Sequence, residues 1–423
     1  MSGQRHSLAS NEPGGTEQPG GGLPGSGPGS GLPRKLWGPL FAVISVLAAY
    51  SLTVGYVYPA VAFNLSVKEF SPLVIGLQSA MSGVGILAGS VLTARIASLA
   101  SPWATTLIAL GVSAGVIIAL GLIPPVAIWF FLRFALGFSG SLLFILSETW
   151  INQLAPDHLR GRIIGIYTSV LAGVFALGPA LTTVLGFDGW QPFTSVALLL
   201  IAMGLPLLIY RRELPNETVH EEGAFTATLK RIPVLMLGVG AFGYFDGALL
   251  TLWPVYALDR DIGVDAAAWL LTLLIIGNLF LQVPIGWLAD RFSRRSLFTL
   301  CASFAFFGAL MLPLVDLTAT YAYVYLVIWG ALSFGIYTLA MTIVGEALRG
   351  SSLVAANAGF GVMWGFGAVA GSGVTGAVMN AIGAVGLPVC IAVVFGALMI
   401  TSLFFPPIRI ATGSPPRKPS ADA

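Results

Sequence analysis

Apolar residues run in stretches of about twenty along almost the whole chain, and short polar clusters separate one stretch from the next. About 20 helical residues cover the roughly 30 Å hydrocarbon core of a bilayer, so the pattern predicts membrane-spanning helices rather than half-buried surface helices. Charged or Pro/Gly breaks place the spans at 38–62, 73–94, 103–122, 126–153, 163–186 and 191–210. After a polar stretch they resume at 232–257, 267–289, 297–315, 320–348, 355–380 and 385–406. The expected fold class is therefore an all-α polytopic membrane protein with twelve transmembrane helices in two six-helix halves.

Composition sharpens this picture, because only 38 of the 423 residues are Asp, Glu, Lys or Arg, while 56% are hydrophobic. Positively charged short loops are retained in the cytoplasm. Seventeen of the 20 basic residues fall on one side of the predicted spans, including Arg95, Arg160, Arg162, Arg211, Arg212, Arg291, Arg294 and Arg295. Lys68 and Arg260 lie in loops of the other side, where Asp188, Asp259, Asp261 and Asp265 gather, and Arg133 lies inside a span. Both termini are expected in the cytoplasm and the chain in the inner (plasma) membrane as a multi-pass monomer.

The expected organisation is a disordered tail over 1–33, a first six-helix half over 34–210, a linker over 211–230, a second half over 231–407 and a tail over 408–423. The first tail is rich in Gly, Pro and Ser and has no apolar core for a signal peptide, so the first span is expected to direct insertion. Cys301 and Cys390 sit within spans and read as packing residues. No G-x-x-x-x-G-K-S/T loop occurs, and His6, His158 and His220 show no zinc spacing or nucleophile motif. ATP-driven pumping within this chain, catalysis, a cofactor, a metal and a nucleic-acid partner are not expected.

The two halves repeat one another. A shift of 197 residues lays Gly89 to Arg95 over Gly286 to Phe292, and span four over span ten. The Gly-rich fifth span, Gly173 to Pro179, faces a more Gly-rich eleventh at a slightly shorter offset. Small residues at these spacings let helix backbones approach in lipid, and many transporters place a binding site between two related halves.

The strongest motif runs from Gln282 to Arg295 (QVPIGWLADRFSRR) between spans eight and nine. It resembles the signature loop G-x-L-x-D-R-x-x-R-R of the major facilitator superfamily. Gly286 permits close helix contact, and Asp290 at a helix end can meet a neighbouring helix N-terminus and the adjacent Arg291, Arg294 and Arg295. The resemblance implies a gate brace rather than a substrate site. In the first half Thr93 and Ala94 stand where Asp and Arg are expected, which leaves that brace incomplete. Glu148-Thr-Trp150-Ile-Asn152, Arg160-Gly161-Arg162, Tyr167 and the segment Phe245 to Pro254 are similar to the YcaD-like branch of the superfamily. The resemblance covers roughly residues 38 to 407 and implies two pseudo-symmetric halves, with spans one, four, seven and ten lining a central cavity.

Ionisable side chains inside spans cost about 2.5–3.5 kcal/mol even on the lenient insertion scale, so each needs a reason. Arg133 and Gly137 in span four resemble the superfamily's R-x-x-x-G element, in which the Arg is implicated in proton coupling; a structural role bonded to neighbouring helices is the competing reading. Asp246 lies about 21 Å along span seven at 1.5 Å per residue. Such a buried acid can take up a proton or cation and release it when water arrives, or it can serve helix packing. Glu148 is expected at the cytoplasmic edge, paired with Arg95, Arg160 or Arg162 in an inner gate, and Glu346 near Arg349 reads likewise. Asn278 and Gln282 share a face of span eight and either line the cavity or hold helices together. Tyr50, Tyr56, Tyr58, Tyr244, Trp253, Tyr337 and Thr338 complete the candidate lining, and aromatic walls with few fixed charges suit an amphipathic solute better than a sugar phosphate.

These residues imply a secondary active transporter of a small solute, coupled to protons through Asp246 and Arg133. Gly178-Pro179 resembles an element of the antiporter branches and tilts the direction toward export, although Val174 and Thr182 stand where glycines of that element belong. Import by proton symport and a non-transporting receptor are the competing readings, the latter opposed by the short linker and tail.

Overall fold

The computed structural model describes residues 34–156, 159–215, 230–348 and 351–405. The expected tails, most of the expected linker, Arg349 and the three histidines lie outside the described residues. So do the side chains of Arg160, Gln282, Gly286 and Asp290.

Twelve helical spans account for the described chain. Helix α1 consists of Arg34–Leu52, a π-helical turn Thr53–Val57 and Tyr58–Val67. There follow α2 (Pro72–Ala100), α3 (Pro102–Leu122), α4 (Val126–Leu154), α5 (Arg160–Leu185) and α6 (Trp190–Ile209). The second half comprises α7 (Pro233–Leu258), α8 (Val264–Arg291), α9 (Arg294–Met311), α10 (Thr320–Ala347), α11 (Ser351–Ile382) and α12 (Gly386–Phe404). Eleven of these are long and apolar enough to cross a membrane; α8 is 28 residues long and apolar over Val264–Phe280. The chain is a multi-pass membrane protein.

Local chemistry starts and stops these helices. Ser71 accepts from the Val74 amide and Ser101 from the Ala104 amide, and each is followed by a proline at the first helical position, where a missing N–H costs nothing. Gly186 ends α5 with φ +86°, a conformation open to glycine. Several spans run further than their apolar cores, α2 to Ala100 and α11 from Ser351 to Ile382, because backbone hydrogen bonding continues after hydrophobicity stops.

Packing reproduces the repeat. Helix α2 lies on α4 as α8 lies on α10, α3 on α6 as α9 on α12, and α1 on α5 as α7 on α11. Glycines make the close crossings. Gly85, Gly89 and Gly137 set α4 against the backbone of α2, while Gly277 and Gly330 do the same for α8 and α10. Across the halves α2 packs on α11 and α5 on α8, a second symmetric pair, and the Tyr58–Val67 part of α1 packs on α7. The α2–α11 seam is built from Gly76 against Ser372 and Gly376, and Gly83 against Val369. These contacts lie in the part of α2 nearest the acidic loops, so the halves close on each other at the end opposite the arginine-rich loops.

Candidate functional site

Two side chains that a bilayer interior disfavours meet at this junction. Arg133 of α4 is 1% exposed; its Nη2 donates to the Ser79 hydroxyl of α2 at 3.0 Å. Ser79 also accepts from Thr251 of α7 at 2.7 Å, so one oxygen ties the arginine to both halves. The guanidinium carbon lies 3.8 Å from the Tyr58 ring centroid, within cation–π range. Nε and Nη1 of Arg133 find no protein partner among the described residues, and a buried donor left unpaired costs about 1–3 kcal/mol.

Asp246 of α7 is 5% exposed and lies beside the Trp364 indole of α11. Gly243 and Gly247, on either side of it in sequence, let α7 press on the backbone of α11 at Trp364 and Ala368. Asp246, Tyr58, Ser79, Val54, Trp364 and Ser372 line one small cavity between the halves. Arg133 and Asp246 make no ion pair; Tyr58 sits within electrostatic reach of both.

The local cause of Tyr58's position lies in the backbone. Pro59 has no N–H for the Gly55 carbonyl and its ring crowds that oxygen, and the π-helical turn Thr53–Val57 directly precedes it. Gly55 meanwhile packs against Phe175 and Gly178 of α5. The extra residue in the turn rotates the rest of α1, a device often found at functional sites.

From this cavity a line of phenols runs toward the basic end. Tyr50 is within electrostatic reach of Tyr58, Asp246 and Tyr167, and its ring lies 5.2 Å from Phe144. Tyr167 and Tyr337 are both within reach of Glu148. Glu148 is solvent-accessible, with Tyr167 on α5 and Tyr337 on α10 of the opposite half around it, so it faces the space between the halves. It forms no ion pair with Arg95 or Arg162; the third expected partner, Arg160, has its side chain outside the described residues.

Tyr56, Trp253 and Tyr244, expected in the lining, are held in contacts between helices. Tyr56 is fully buried and donates to the Gly186 carbonyl at 2.6 Å; Trp253, its counterpart after the 197-residue shift, donates to the Ala267 carbonyl at 2.9 Å. The Tyr56 hydroxyl and the Trp253 indole N–H are thus both occupied by neighbouring helix ends. Tyr244 shares a 2.8 Å hydrogen bond with Thr375 inside the α7–α11 seam. Tyr337 stays half-buried against Phe242 and Phe360, and Asn278 is half-buried on α8.

At the basic end, Arg294 pairs with Glu346 of α10 and Arg295 Nη2 donates to the Leu403 carbonyl at 2.9 Å. Arg291 lies over the Trp287 ring at 3.8 Å, and Arg162 is exposed. Thr93, where the first-half brace lacks its acid, bonds back to the Gly89 carbonyl of its own helix. At the opposite end Lys68 pairs with Asp188 at 2.9 Å and Asn64 joins them, which ties α1 to the α5–α6 loop. The hydrogen bond from Lys68 holds the Asp188 carboxyl below the usual carboxylate range.

Ser79, Thr251 and Trp364 were not legible as site residues. Single hydroxyls and indoles within apolar runs carry no spacing signal, and only the crossing of α2, α7 and α11 brings them together.

Two halves, twelve spans and a polar junction between them define a membrane transporter. Residues 40–235 and 235–422 each match the Major Facilitator Superfamily, and the chain belongs to that family. It is 25% identical to the uncharacterized MFS-type transporter YcaD of Escherichia fergusonii over 346 residues, 81% of this chain and 89% of that protein. It is also 25% identical to the uncharacterized MFS-type transporter YfkF of Bacillus subtilis over 264 residues, 60% of this chain and 67% of that one. These matches set it in the YcaD-like branch. The fold is shared with the nucleoside transporter NupG (TM-score 0.68, 13% identity, 87% and 98% of the two chains). It is shared as well with a bacterial homolog of the human lysosomal transporter Spinster in an inward-facing, unoccupied conformation (TM-score 0.71, 14% identity, 88% and 97%).

Proposed function

We propose that the chain is a proton-coupled secondary transporter that moves a small organic or amphipathic solute across the inner (plasma) membrane by alternating access. The observation that carries this reading is the shared cavity of Asp246, Tyr58 and the Arg133-bonded Ser79, where the two halves meet. A proton on Asp246 removes a charge from the α7–α11 seam, so proton traffic there changes the energy of rocking one half against the other. At 100 mV each coupled charge supplies about 2.3 kcal/mol, enough for a roughly fortyfold gradient. The basic end faces the cytoplasm on the positive-inside rule, with both termini on that side. Export is the favoured direction, supported by Gly178-Pro179 at the α1–α5 crossing.

The test is a thermal-shift screen of the purified protein against organic acids, sugars, amphipathic drugs and peptides, with any hit carried into proteoliposomes under an imposed pH gradient. Flux should follow the gradient in the wild type and be lost in Asp246→Asn at unchanged expression and monodispersity. Undiminished gradient-driven flux in that variant would remove the coupling role from Asp246.

A further inference from the structure

The proposed function leaves the accessible carboxyl of Glu148, within the span α4, unused. Glu148 lies 15 residues beyond Arg133 on α4, about 22 Å along the helix. It is open to solvent, whereas Arg133 is sealed beneath Tyr58 and Asp246 is buried. The acidic group offered to a solute between the halves at this depth is therefore Glu148, an anion whenever it is ionised.

Its neighbours are rings. Tyr337 of α10 lies within electrostatic reach of Glu148 and is backed by Phe242 at 5.1 Å and Phe360 at 6.4 Å. Tyr167 lies on the other side, with its hydroxyl 3.2 Å from Ser147. Tyr50, half-buried against Phe144, continues the aromatic wall one turn deeper. Aromatic faces attract cations, and the attraction grows as water is removed. Arg162 is exposed on α5 five residues before Tyr167, about 7 Å nearer the basic end.

We propose that Glu148 with Tyr337 and Tyr50 forms a recognition site for a lipophilic organic cation, the carboxylate meeting the positive centre and the rings its apolar body. The inference rests on the transporter reading and names the solute class for it. Tyr337 lies on α10 and the other two on the first half, so occupancy bridges the halves.

The discriminating probes are tetraphenylphosphonium and tetraphenylborate, which share shape and size and differ in the sign of charge. Binding is measured by calorimetry on the full purified chain. Tetraphenylphosphonium should bind the wild type about tenfold or more tightly than tetraphenylborate. Glu148→Gln should erase that difference and Tyr337→Leu should weaken binding of the cation. Glu213→Gln, at an exposed acid outside the spans near the basic end, should change nothing. Equal affinity of the wild type for the two ions would overturn the inference without any variant, as would unchanged cation binding in a folded Glu148→Gln protein. Cation bound through Glu148 but never moved in proteoliposomes would sink the transporter reading while this site stands. Gradient-driven flux of another solute, with no preference for the cation, would do the reverse.

Discussion

Arg133 can remain inside a bilayer because three groups from three helices receive it: the Ser79 hydroxyl, the Tyr58 ring and, through Ser79, the Thr251 hydroxyl. Hydrogen bonds between membrane helices are worth about 0.6–2 kcal/mol each. Ser79→Ala removes the acceptor that Arg133 and Thr251 share, so it should lower stability by about 1–2 kcal/mol in thermal unfolding of the purified protein. Thr251→Val should cost less, and adding it to Ser79→Ala should cost almost nothing further, since the bond it removes is already gone. Fully additive losses would mean that the three groups do not act through one oxygen. Arg133 and Asp246 stood out in the sequence because charge is rare in apolar runs. Tyr56 and Trp253 misled for the opposite reason: an aromatic residue within a span looks the same whether it lines a cavity or donates to a carbonyl of the next helix.

Helix crossings depend on glycines whose backbones touch. A Cβ on Gly371 would run into the Tyr244 backbone of α7, whereas one on Gly361, on the same helix, meets nothing within 4 Å. Gly371→Ala should therefore destabilise by about 1–3 kcal/mol through overpacking, and Gly361→Ala should be neutral or slightly stabilising. Thermal midpoints of the two variants side by side check this, and equal midpoints would refute the tight α7–α11 crossing. The number and order of elements were legible from apolar run lengths and the 197-residue repeat; their pairing came only with the structure. The π-helical turn was not, because hydropathy does not register hydrogen-bond pattern, although Pro59 with a glycine four residues before it was a local sign.

For the whole molecule, the proposed alternating access would have the pseudo-symmetric α2–α11 and α5–α8 seams exchange tight and loose states as the halves rock. Here the α2–α11 seam is closed through Gly76, Gly83 and Gly376, while Glu148 stays accessible toward the basic end. Two six-helix halves and the basic end were readable from the sequence. Which seam is closed was not, since one sequence serves both states.

Whether protonation at the Asp246 junction shifts the balance between these states can be tested without knowing the solute. Spin labels at Phe70→Cys and Asp259→Cys, both exposed at the acidic end on opposite halves, report the outer separation in proteoliposomes. Cys301 and Cys390 are buried and stay unlabelled. Two distance populations are expected, with a ratio that changes with pH in the wild type and is fixed in Asp246→Asn. A single distance, or a pH response that survives in Asp246→Asn, would contradict this expectation.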